Sequence, residues 1–401
     1  MVVANQLNQL FDSLAHTKIS FRGRLYPAYR LCGYTGFFLA VLINCFIIFY
    51  LKLSLIVFLA LIATTALTFY FLAMGIKIFT GHEYLVYYHH EIAIIFSTSL
   101  VLIALEQPLM TYLDIVALGL GIFLFFGRIG CLRVGCCHGR PHAWGITYKQ
   151  EHADEGFSRH YVGVRLFPTQ AIEALWVLGV VIISIVLLFL DMTQPGDIFT
   201  WYIMAYGAAR FWLEFVRGDV RPFWGGFSEA QWTTIILMFL ILGMEWLSKT
   251  GFYLWHFIIC IVCLLSMIFL TGLRKWLPSK LNLFWFPQDL KDFADKLNET
   301  VMWHILHKQP GSQVAVMETK QGIQISADRI VNGEENIFFY SISQKNNPLI
   351  LKTANRLGKY IQQLKHPDLP FRVLPGRNSV FHILFQGIIF KSKKIGKRSL
   401  Q

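Results

Sequence analysis

The sequence predicts an all-α polytopic membrane bundle of about seven to eight transmembrane helices, followed by a small C-terminal α+β soluble domain. Hydrophobic residues make up 55% of the 401 residues and charged residues only 15%, whereas soluble domains carry about a quarter charged residues. Long apolar runs fill the chain before Arg274, and the composition becomes polar after it. We therefore expect a transmembrane domain at 1–275 and a soluble domain at 276–401.

Eight apolar segments are long enough to cross a bilayer as helices, which takes about 20 residues each. In chain order they are 33–51, 53–75, 86–105, 109–126, 169–190, 198–216, 230–247 and 252–273. The third segment is the weakest because the polar run "YYHHE" interrupts its start. A short amphipathic helix is predicted ahead of the first span, since leucine and phenylalanine recur over 7–14 at helical spacing.

The C-terminal residues alternate as strands do. "VAVME", "GIQIS", "NIFFYSIS", "FRVLPGR" and "VFHILF" are rich in β-branched and aromatic residues, which favours strands. Between them, apolar residues recur over 349–364 with the period of a helix. No catalytic motif is recognisable in this part of the sequence, so the chemistry is expected in the membrane domain.

The charge balance restricts the partners. A net charge of +12 suits a multi-pass protein that lies against anionic lipid headgroups. Nucleic acid is not expected as a partner, because the basic residues are dispersed among apolar spans.

Three of the seven cysteines lie close together at a hydrophobic boundary: Cys131, Cys136 and Cys137. Their C-x4-C-C-H spacing matches no standard zinc pattern, and adjacent cysteines are awkward joint ligands. We therefore expect no metal and no cofactor. A structural or redox disulfide is the main alternative for these thiols, and a metal ion is the weaker one.

A polar stripe accompanies the predicted span at 198–216. It consists of Tyr206, Arg210, Glu214 and Arg217, which recur on one face of a helix. Arg210 and Glu214 are one turn apart and are expected to pair, with Arg217 closing on the same carboxylate. An ionisable side chain inside a membrane costs free energy, so its presence there usually indicates a functional role. An ion pair that only pins the helix is the alternative, but the whole stripe favours an anion site.

A second arginine-rich segment is "FGRIGCLRVGCCHGRP" at 126–141. It includes Arg128, Gly139 and Arg140. Glycines allow tight turns that present backbone N–H groups, and guanidinium groups offer a two-pronged donor to phosphate. The segment therefore suits a phospholipid headgroup at the membrane interface, with a plain glycine-rich turn as the alternative.

Two further segments supply polar groups to predicted spans. "LFPTQAIEALW" carries Gln170 and Glu173, and the carboxylate of Glu173 needs a cationic partner that the arginines can provide. "HEYLVYYHHEIAI" carries Tyr88 and His89, and a histidine can accept a proton near neutral pH. For the first segment, the alternative is a helix-capping role near Thr169. For the second, the alternative is that the histidines only anchor the helix at the membrane interface.

Together these segments resemble the bacterial prolipoprotein diacylglyceryl transferase family over about residues 25–250. "FPTQAIEA" is similar to the family's His-Pro-Ser-Gln-x-x-Glu-Ala, and "YGAARFWLEFVR" to its Tyr-Gly-x-x-Arg-x-x-x-Glu-x-x-Arg. The family's central signature is Gly-Arg-x-Gly-Asn-Phe-x-Asn-Gly-Glu-x-x-Gly-Arg. Without a gap, the chain matches it at Gly127, Arg128, Gly130, Gly135, Gly139 and Arg140.

The chain departs from the family pattern at several polar positions. Cys131 and Val134 stand where the family has asparagines, and Cys136 stands where it has glutamate. Tyr88 aligns with a family histidine, and Phe167 replaces the histidine before the proline. The arginines match better than the residues that shape the acceptor site. The resemblance therefore indicates a divergent member.

The resemblance implies transfer of a diacylglyceryl group from phosphatidylglycerol to the lipobox cysteine of a prolipoprotein signal-peptide region, at the bacterial inner membrane. Arg128 and Arg210 would hold the phosphate, and Tyr88 or His89 would assist proton removal. Glu214 and Glu173 would orient the arginines. The supporting residues would be Arg140, Arg217, Gly139, Gln170, Glu173 and Tyr206. Two alternatives stay open: the same lipid donor with another acceptor, and a non-catalytic phospholipid-binding membrane protein.

Overall fold

The computed structural model describes residues 2–81, 86–248, 253–276, 284–306, 314–332, 335–345 and 348–388. The chain divides into two compact units. The first comprises 1–140, 144–157 and 167–276, and the second comprises 141–143, 158–166 and 277–401. The predicted fold class, a helical membrane part with a small C-terminal sheet domain, is confirmed. Two short pieces of the loop before 167 group with the C-terminal residues, which the sequence did not indicate.

Every predicted apolar segment is a helix. The elements up to Trp276 include α1 (Val2–Leu14), α2 (Ala28–Tyr50), α3 (Leu55–Thr80), α4 (Tyr87–Ala104), α5 (Leu109–Val134), α6 (Gln150–Asp154), α7 (Thr169–Phe189), α8 (Asp197–Leu213), α9 (Glu229–Ser248) and α10 (Leu254–Trp276). The predicted amphipathic helix near the N-terminus is α1. Residue 252, where we expected the last span to begin, lies outside the described residues.

Six of the described helices are long and apolar enough to cross a membrane: α2, α3, α5, α7, α9 and α10. Helices α4 and α8 fall short of that standard. Helix α4 has 18 residues and begins with the polar run Tyr87–Glu91, and α8 has only 17 residues. The predicted number of seven to eight spans is therefore not reproduced by length and composition, although the protein is a multi-pass membrane protein.

Short strands lie in the connections between these helices. Strands β1 (Lys18–Phe21) and β2 (Arg24–Pro27) form an antiparallel hairpin before α2. Strands β3 (Pro141–Thr147) and β4 (Arg165–Leu166) fall between α5 and α7 in the chain. Strands β5 (Phe223–Trp224) and β6 (Phe227–Ser228) pair in antiparallel fashion just before α9. Single-turn 3₁₀ helices occur at Arg159–Tyr161 and Glu214–Val216.

Helix α5 is the central element of the first unit. Two-thirds of its apolar stretch (67%) is buried, compared with 17% for α3, so α5 packs inside the bundle while α3 presents most of its side chains outward. Its neighbours are α2, α7, α8 and α4. The exposed faces of the outer helices are apolar, as lipid contact requires. The two charged groups Asp114 and Arg128 on α5 are buried by these neighbours.

The second unit contains a five-stranded antiparallel sheet of order β10-β11-β9-β8-β7. Its elements are α11 (Pro287–Leu306), β7 (Met317–Glu318), β8 (Ile323–Asn332), β9 (Glu335–Gln344), α12 (Leu351–Lys365), β10 (Phe371–Pro375) and β11 (Phe381–Ile388). The predicted strands and helix are present, and α11 was not anticipated. Its core is apolar, with Phe293, Ile342 and Leu357 fully buried.

Candidate active site

Three helices converge on the carboxylate of Glu173, which is buried near the start of α7. Arg128 of α5 places Nη2 3.1 Å from Glu173 Oε1. The hydroxyl of Tyr206, on α8, donates to the same oxygen at 3.0 Å. Arg210, one turn further along α8, has Nε 3.7 Å from it. Glu173 thus has the cationic partners that its place in an apolar helix required.

A second carboxylate, Glu214, gathers three more contacts where α8 ends and the 3₁₀ turn Glu214–Val216 begins. Arg210 Nη1 forms an ion pair with Glu214 Oε1. Arg217 Nε lies 3.6 Å from the same oxygen. Arg221 Nη1 donates to both carboxylate oxygens, at 2.8 and 3.0 Å. The α-helix therefore stops earlier than the span predicted to 216, yet the polar stripe still comes together.

Asp219 and Arg221 belong to the site, and the sequence analysis did not single them out. Arg217 donates to both oxygens of Asp219, at 2.9 and 3.1 Å, and Arg221 also pairs with Asp219. Burial alone would raise the pKa of Asp219, but the charges of Arg217 and Arg221 outweigh it and lower that pKa. The missed signal was the charged run "RGDVR" directly after the stripe.

The arginine–carboxylate cluster carries excess positive charge. Among the described residues it contains five arginines and three carboxylates, namely Arg128, Arg140, Arg210, Arg217, Arg221, Glu173, Glu214 and Asp219. In this set the arginines outnumber the carboxylates by two. Within the described part of the chain, Arg128 Nε and Arg217 Nη1 are buried without a hydrogen-bond partner. Buried donors of this kind suit an anionic ligand.

The loop after α5 is tied to the segments that flank this cluster. Gly135 ends α5 in a left-handed conformation (φ 90°), which favours glycine. Gly139 donates its N–H to the carbonyl of Phe167 at 3.0 Å. A Cβ on Gly139 would lie 2.4 Å from that oxygen, so only glycine fits there. Arg140 N–H donates to the carbonyl of Val216 at 3.1 Å. These bonds hold the loop between the start of α7 and the end of α8.

Two of the predicted binding residues, Arg140 and Gln170, form hydrogen bonds to the backbone near the cluster. Arg140 Nε donates to the carbonyl of Arg217 at 3.1 Å. Gln170 is fully buried, and its Nε2 donates to the carbonyl of Cys136 at 2.7 Å. Gln170 Oε1 has no hydrogen-bond partner among the residues described. Both residues therefore position the backbone around the cluster.

The structure separates the two residues proposed for proton removal. Tyr88 is buried, donates or accepts a 2.7 Å hydrogen bond with Thr234, and has its ring centre 5.9 Å from that of Tyr206. His89 instead pairs with Glu229 and is partly exposed. Adjacent residues on a helix point about 100° apart, so α4 can direct only one of the two toward the cluster. Tyr88 is the one that it directs there.

The three clustered cysteines are free thiols whose sulfur atoms all lie within 4.8 Å of one another. Cys131 is buried in the last turn of α5, Cys137 is half-buried and Cys136 is exposed. Contacts with the other two thiols, together with the charges of Arg217 and Arg128, lower the pKa of Cys137. The disulfide considered as an alternative is not formed.

A family model described as prolipoprotein diacylglyceryl transferase matches residues 29–247. That range covers more than half of the chain and contains the entire arginine–carboxylate cluster.

Curated relatives agree with this match. The chain is 31% identical over 129 residues to phosphatidylglycerol–prolipoprotein diacylglyceryl transferase 2 of Clostridium perfringens (strain 13 / Type A), covering 31% of this chain and 47% of the relative. It is 30% identical over 132 residues to the phosphatidylglycerol–prolipoprotein diacylglyceryl transferase of Clostridium tetani (strain Massachusetts / E88), covering 32% and 49%. The chain spans about half the length of the curated relatives it matches. The family match, the shared sequence motifs and the arrangement of the site all agree. The chain belongs to the prolipoprotein diacylglyceryl transferase family.

Proposed function

We propose that this protein transfers a diacylglyceryl group from phosphatidylglycerol to the thiol of a prolipoprotein cysteine. The observation that carries the proposal is the buried arginine–carboxylate cluster, in which Arg128 Nε and Arg217 Nη1 have no hydrogen-bond partner among the described residues. A lipid phosphate would supply the acceptors that these donors lack. The names of the relatives, which specify phosphatidylglycerol and prolipoprotein, support the same choice.

The proposed step is a displacement at carbon. The acceptor sulfur attacks the glycerol carbon that carries the phosphate ester, a C–S bond forms, and the C–O bond breaks. Glycerol phosphate leaves with the electron pair, and the thiol proton passes to an oxygen of this departing phosphate. Arg128 and Arg210 stabilise the negative charge that develops on the leaving phosphate. Arg217 and Arg140 support them, and Glu173 and Glu214 keep the guanidinium groups oriented.

Tyr88 is our candidate for handling the thiol proton. Its ring stands next to that of Tyr206, which in turn bonds to Glu173. A neutral tyrosine hydroxyl does not keep an extra proton, so Tyr88 would act as a relay that accepts the thiol proton and passes its own proton on to the departing phosphate. His89 lies against Glu229 and takes no part in this step. We further propose that the activity resides in the first unit, to which all the described residues of the cluster belong, and that the protein acts at the bacterial inner membrane, as the family resemblance implies.

A second candidate keeps the lipid donor but changes the acceptor. Cys131 and Cys136 occupy positions where the resemblance predicts asparagine and glutamate. Cys131 interacts electrostatically with Arg128, and the carbonyl of Cys136 accepts a hydrogen bond from Gln170. An altered lining of this kind changes which thiol or hydroxyl can approach the donor, while leaving the phosphate contacts intact.

The decisive experiment is complementation of a strain that lacks its diacylglyceryl transferase, followed by mass spectrometry of a lipoprotein. Thioether-modified lipoprotein is the expected product. A parallel incubation uses phosphatidylglycerol labelled in its headgroup. Release of glycerol phosphate without modified lipoprotein would favour the second candidate. Bound lipid without any release would show a non-catalytic lipid-binding protein and end the transferase proposal.

A further inference from the structure

We propose that Cys131, Cys136 and Cys137 form a trithiolate site for a thiophilic d¹⁰ metal ion, Zn²⁺ or Cu⁺. Their sulfur atoms all lie within 4.8 Å of one another. A zinc–thiolate bond is about 2.3 Å, so ligands of one tetrahedral ion are separated by about 3.8 Å. Each pair of sulfurs therefore needs to close by roughly 1 Å at most, which side-chain rotation can supply. In the described residues no other group of histidines, cysteines or carboxylates meets this distance criterion.

The backbone explains how adjacent cysteines can serve one ion. The chain turns at Gly135, which brings residues 136 and 137 back beside the last turn of α5, where Cys131 lies. Cys137 itself has φ 58°, a conformation that L-residues rarely adopt. The sequence spacing argued against joint ligation because neighbouring side chains usually diverge. In this turn the two neighbouring sulfurs instead stay within one coordination sphere of each other.

Side chains from α7 hold the turn in place. Thr169 Oγ1 donates to the carbonyl of Cys137 at 2.8 Å, and Gln170 Nε2 donates to that of Cys136 at 2.7 Å. Two of the three ligands are thus fixed through their own backbone, which is how outer contacts pre-organise metal ligands. The third ligand, Cys131, is fixed by the helix. Little conformational entropy would be lost on binding.

Charge and access also suit a metal ion. Three thiolates around Zn²⁺ carry a net negative charge, and Arg217 and Arg128 both interact electrostatically with Cys137. Guanidinium groups that interact with a thiolate ligand also stabilise a negatively charged complex. Cys136 is exposed while Cys131 is buried, so an ion can enter from the Cys136 side. A water molecule or an external thiol can complete the fourth coordination position there.

The test titrates Co²⁺ into the reduced, full-length protein in detergent, without oxygen. The expected result is one equivalent of Co²⁺ with a sulfur-to-cobalt charge-transfer absorption, displaced by one equivalent of Zn²⁺. Cys131→Ser, Cys136→Ser and Cys137→Ser should each weaken binding by at least about tenfold. The matched control is the double variant Cys260→Ser/Cys263→Ser on α10, which removes two buried cysteines and should keep full binding. Absence of the absorption in the reduced protein, or its persistence in the triple serine variant, overturns the proposal.

A second measurement uses the unaltered protein, so that a misfolded variant cannot decide the outcome. Iodoacetamide labels the reduced protein with and without Zn²⁺, and mass spectrometry reads the peptide that contains residues 131–137. Zn²⁺ should protect all three cysteines from alkylation. Equal alkylation in both samples overturns the site. Metal binding is measured without any lipid, so this result is independent of whether the transfer reaction occurs.

Discussion

A charged residue is buried near each end of helix α5, and the two residues differ in how completely they are hydrogen-bonded. At the first end, Asp114 accepts N–H bonds from Gly196 and Phe199, both at 2.8 Å, at the start of α8. A carboxylate at a helix N-terminus also interacts favourably with the helix dipole. Each of its oxygens therefore has a partner. At the other end, Arg128 pairs with Glu173, while its Nε stays without a hydrogen bond in the described structure.

We infer from this difference in hydrogen bonding that Asp114 has a structural role and that Arg128 has a functional one. A buried polar group whose partners are complete contributes to stability and has nothing left to offer a ligand. A buried group with an unused donor costs stability unless a ligand completes it. We infer that α5 is anchored at the Asp114 end and binds its ligand at the Arg128 end. Substitutions of Arg128 and of Asp114 should therefore have opposite effects on transfer and on stability.

The largest expected effect is on transfer at the Arg128 end. Arg128→Ala and Arg210→Ala should abolish diacylglyceryl transfer, and Arg128→Lys should lower it by about 100- to 1000-fold, because lysine keeps the charge but loses the two-pronged donor. The measurement is release of labelled glycerol phosphate in a detergent assay.

The matched control for these variants is Arg133→Lys, further along the same helix and outside the cluster. It should retain transfer within about twofold of the unaltered protein. Normal transfer by Arg128→Ala would remove Arg128 from the phosphate site.

A smaller loss is expected from neutralising the carboxylate between the helices. Glu173→Gln preserves the shape of the side chain but leaves Arg128 and Arg210 without their shared counter-charge. Transfer should fall by about 10- to 100-fold, with a weaker effect on lipid binding than Arg128→Ala. Kinetics at several phosphatidylglycerol concentrations measure this. A variant that binds no lipid at all would mean that Glu173 is needed to build the site.

Asp114→Asn probes the structural end of α5. An amide has one acceptor oxygen and no charge, so one backbone bond and the helix-dipole interaction are lost. The free energy of unfolding should fall by about 1–2 kcal/mol, while transfer per folded molecule stays within about twofold. Thermal unfolding in detergent, combined with the transfer assay on the same sample, measures both. A large drop in transfer with unchanged stability would contradict the contrast between the two ends.

Tyr206→Phe removes one hydrogen bond to Glu173, with little change in shape. A hydrogen bond to a charged group contributes about 1.5–3 kcal/mol to stability. Because Arg128 and Arg210 still hold Glu173 in this variant, we expect only about 1 kcal/mol of transition-state stabilisation to be lost, so transfer should fall by about fivefold. Steady-state rates of the variant and of Tyr202→Phe, whose hydroxyl bonds to Tyr87 instead, provide the comparison. Equal losses in both variants would show a general packing effect and no specific role for the bond to Glu173.

The smallest effect is expected in the second unit, where a buried titratable group is kept neutral. His366 packs between Phe338 and Phe385 and bonds to Tyr340 at 2.8 Å. Burial, assisted by the charge of Lys365, lowers its pKa to about 4. The unfolded chain therefore binds a proton more readily, near its ordinary pKa of about 6.5. Stability from this histidine is present above that value and is lost as the pH falls toward 4.

Hydrogen-exchange protection of β9 and β11 in the full-length protein measures this effect. After correction for intrinsic exchange rates, protection should decline between pH 7 and pH 5, and His366→Gln should flatten the decline. A pH response identical in His366→Gln would assign it to another group. Exchange in α5 should not follow the same titration, because its buried charges lie in the other unit.

Periodicity and composition anticipated much of this protein because they reflect local rules. Eight apolar segments became helices, since each had to satisfy its backbone within the membrane. The pairing of Arg210 with Glu214 follows from their spacing of four residues on one helix. The need of Glu173 for a cation could be stated from its apolar surroundings alone.

Other features depend on contacts between distant segments. Asp219 and Arg221 enter the cluster because α8 gives way to a 3₁₀ turn at Glu214, and no local pattern announced that change. His89 and Tyr88 were equivalent candidates until the rotation of α4 directed Tyr88 inward. The sequence analysis did not predict helix α11, because its many polar residues make the apolar positions along one face hard to recognise.

The amino-acid sequence alone determined where the membrane helices and the reactive residue types lie, because hydrophobicity and helical spacing act over a few neighbouring residues. Only the tertiary structure decided which of those residues meet. The shared carboxylate of Glu173 and the convergence of Cys131, Cys136 and Cys137 both depend on how α5, α7 and their loop pack. Packing of that kind is a property of several segments at once, and no single segment encodes it.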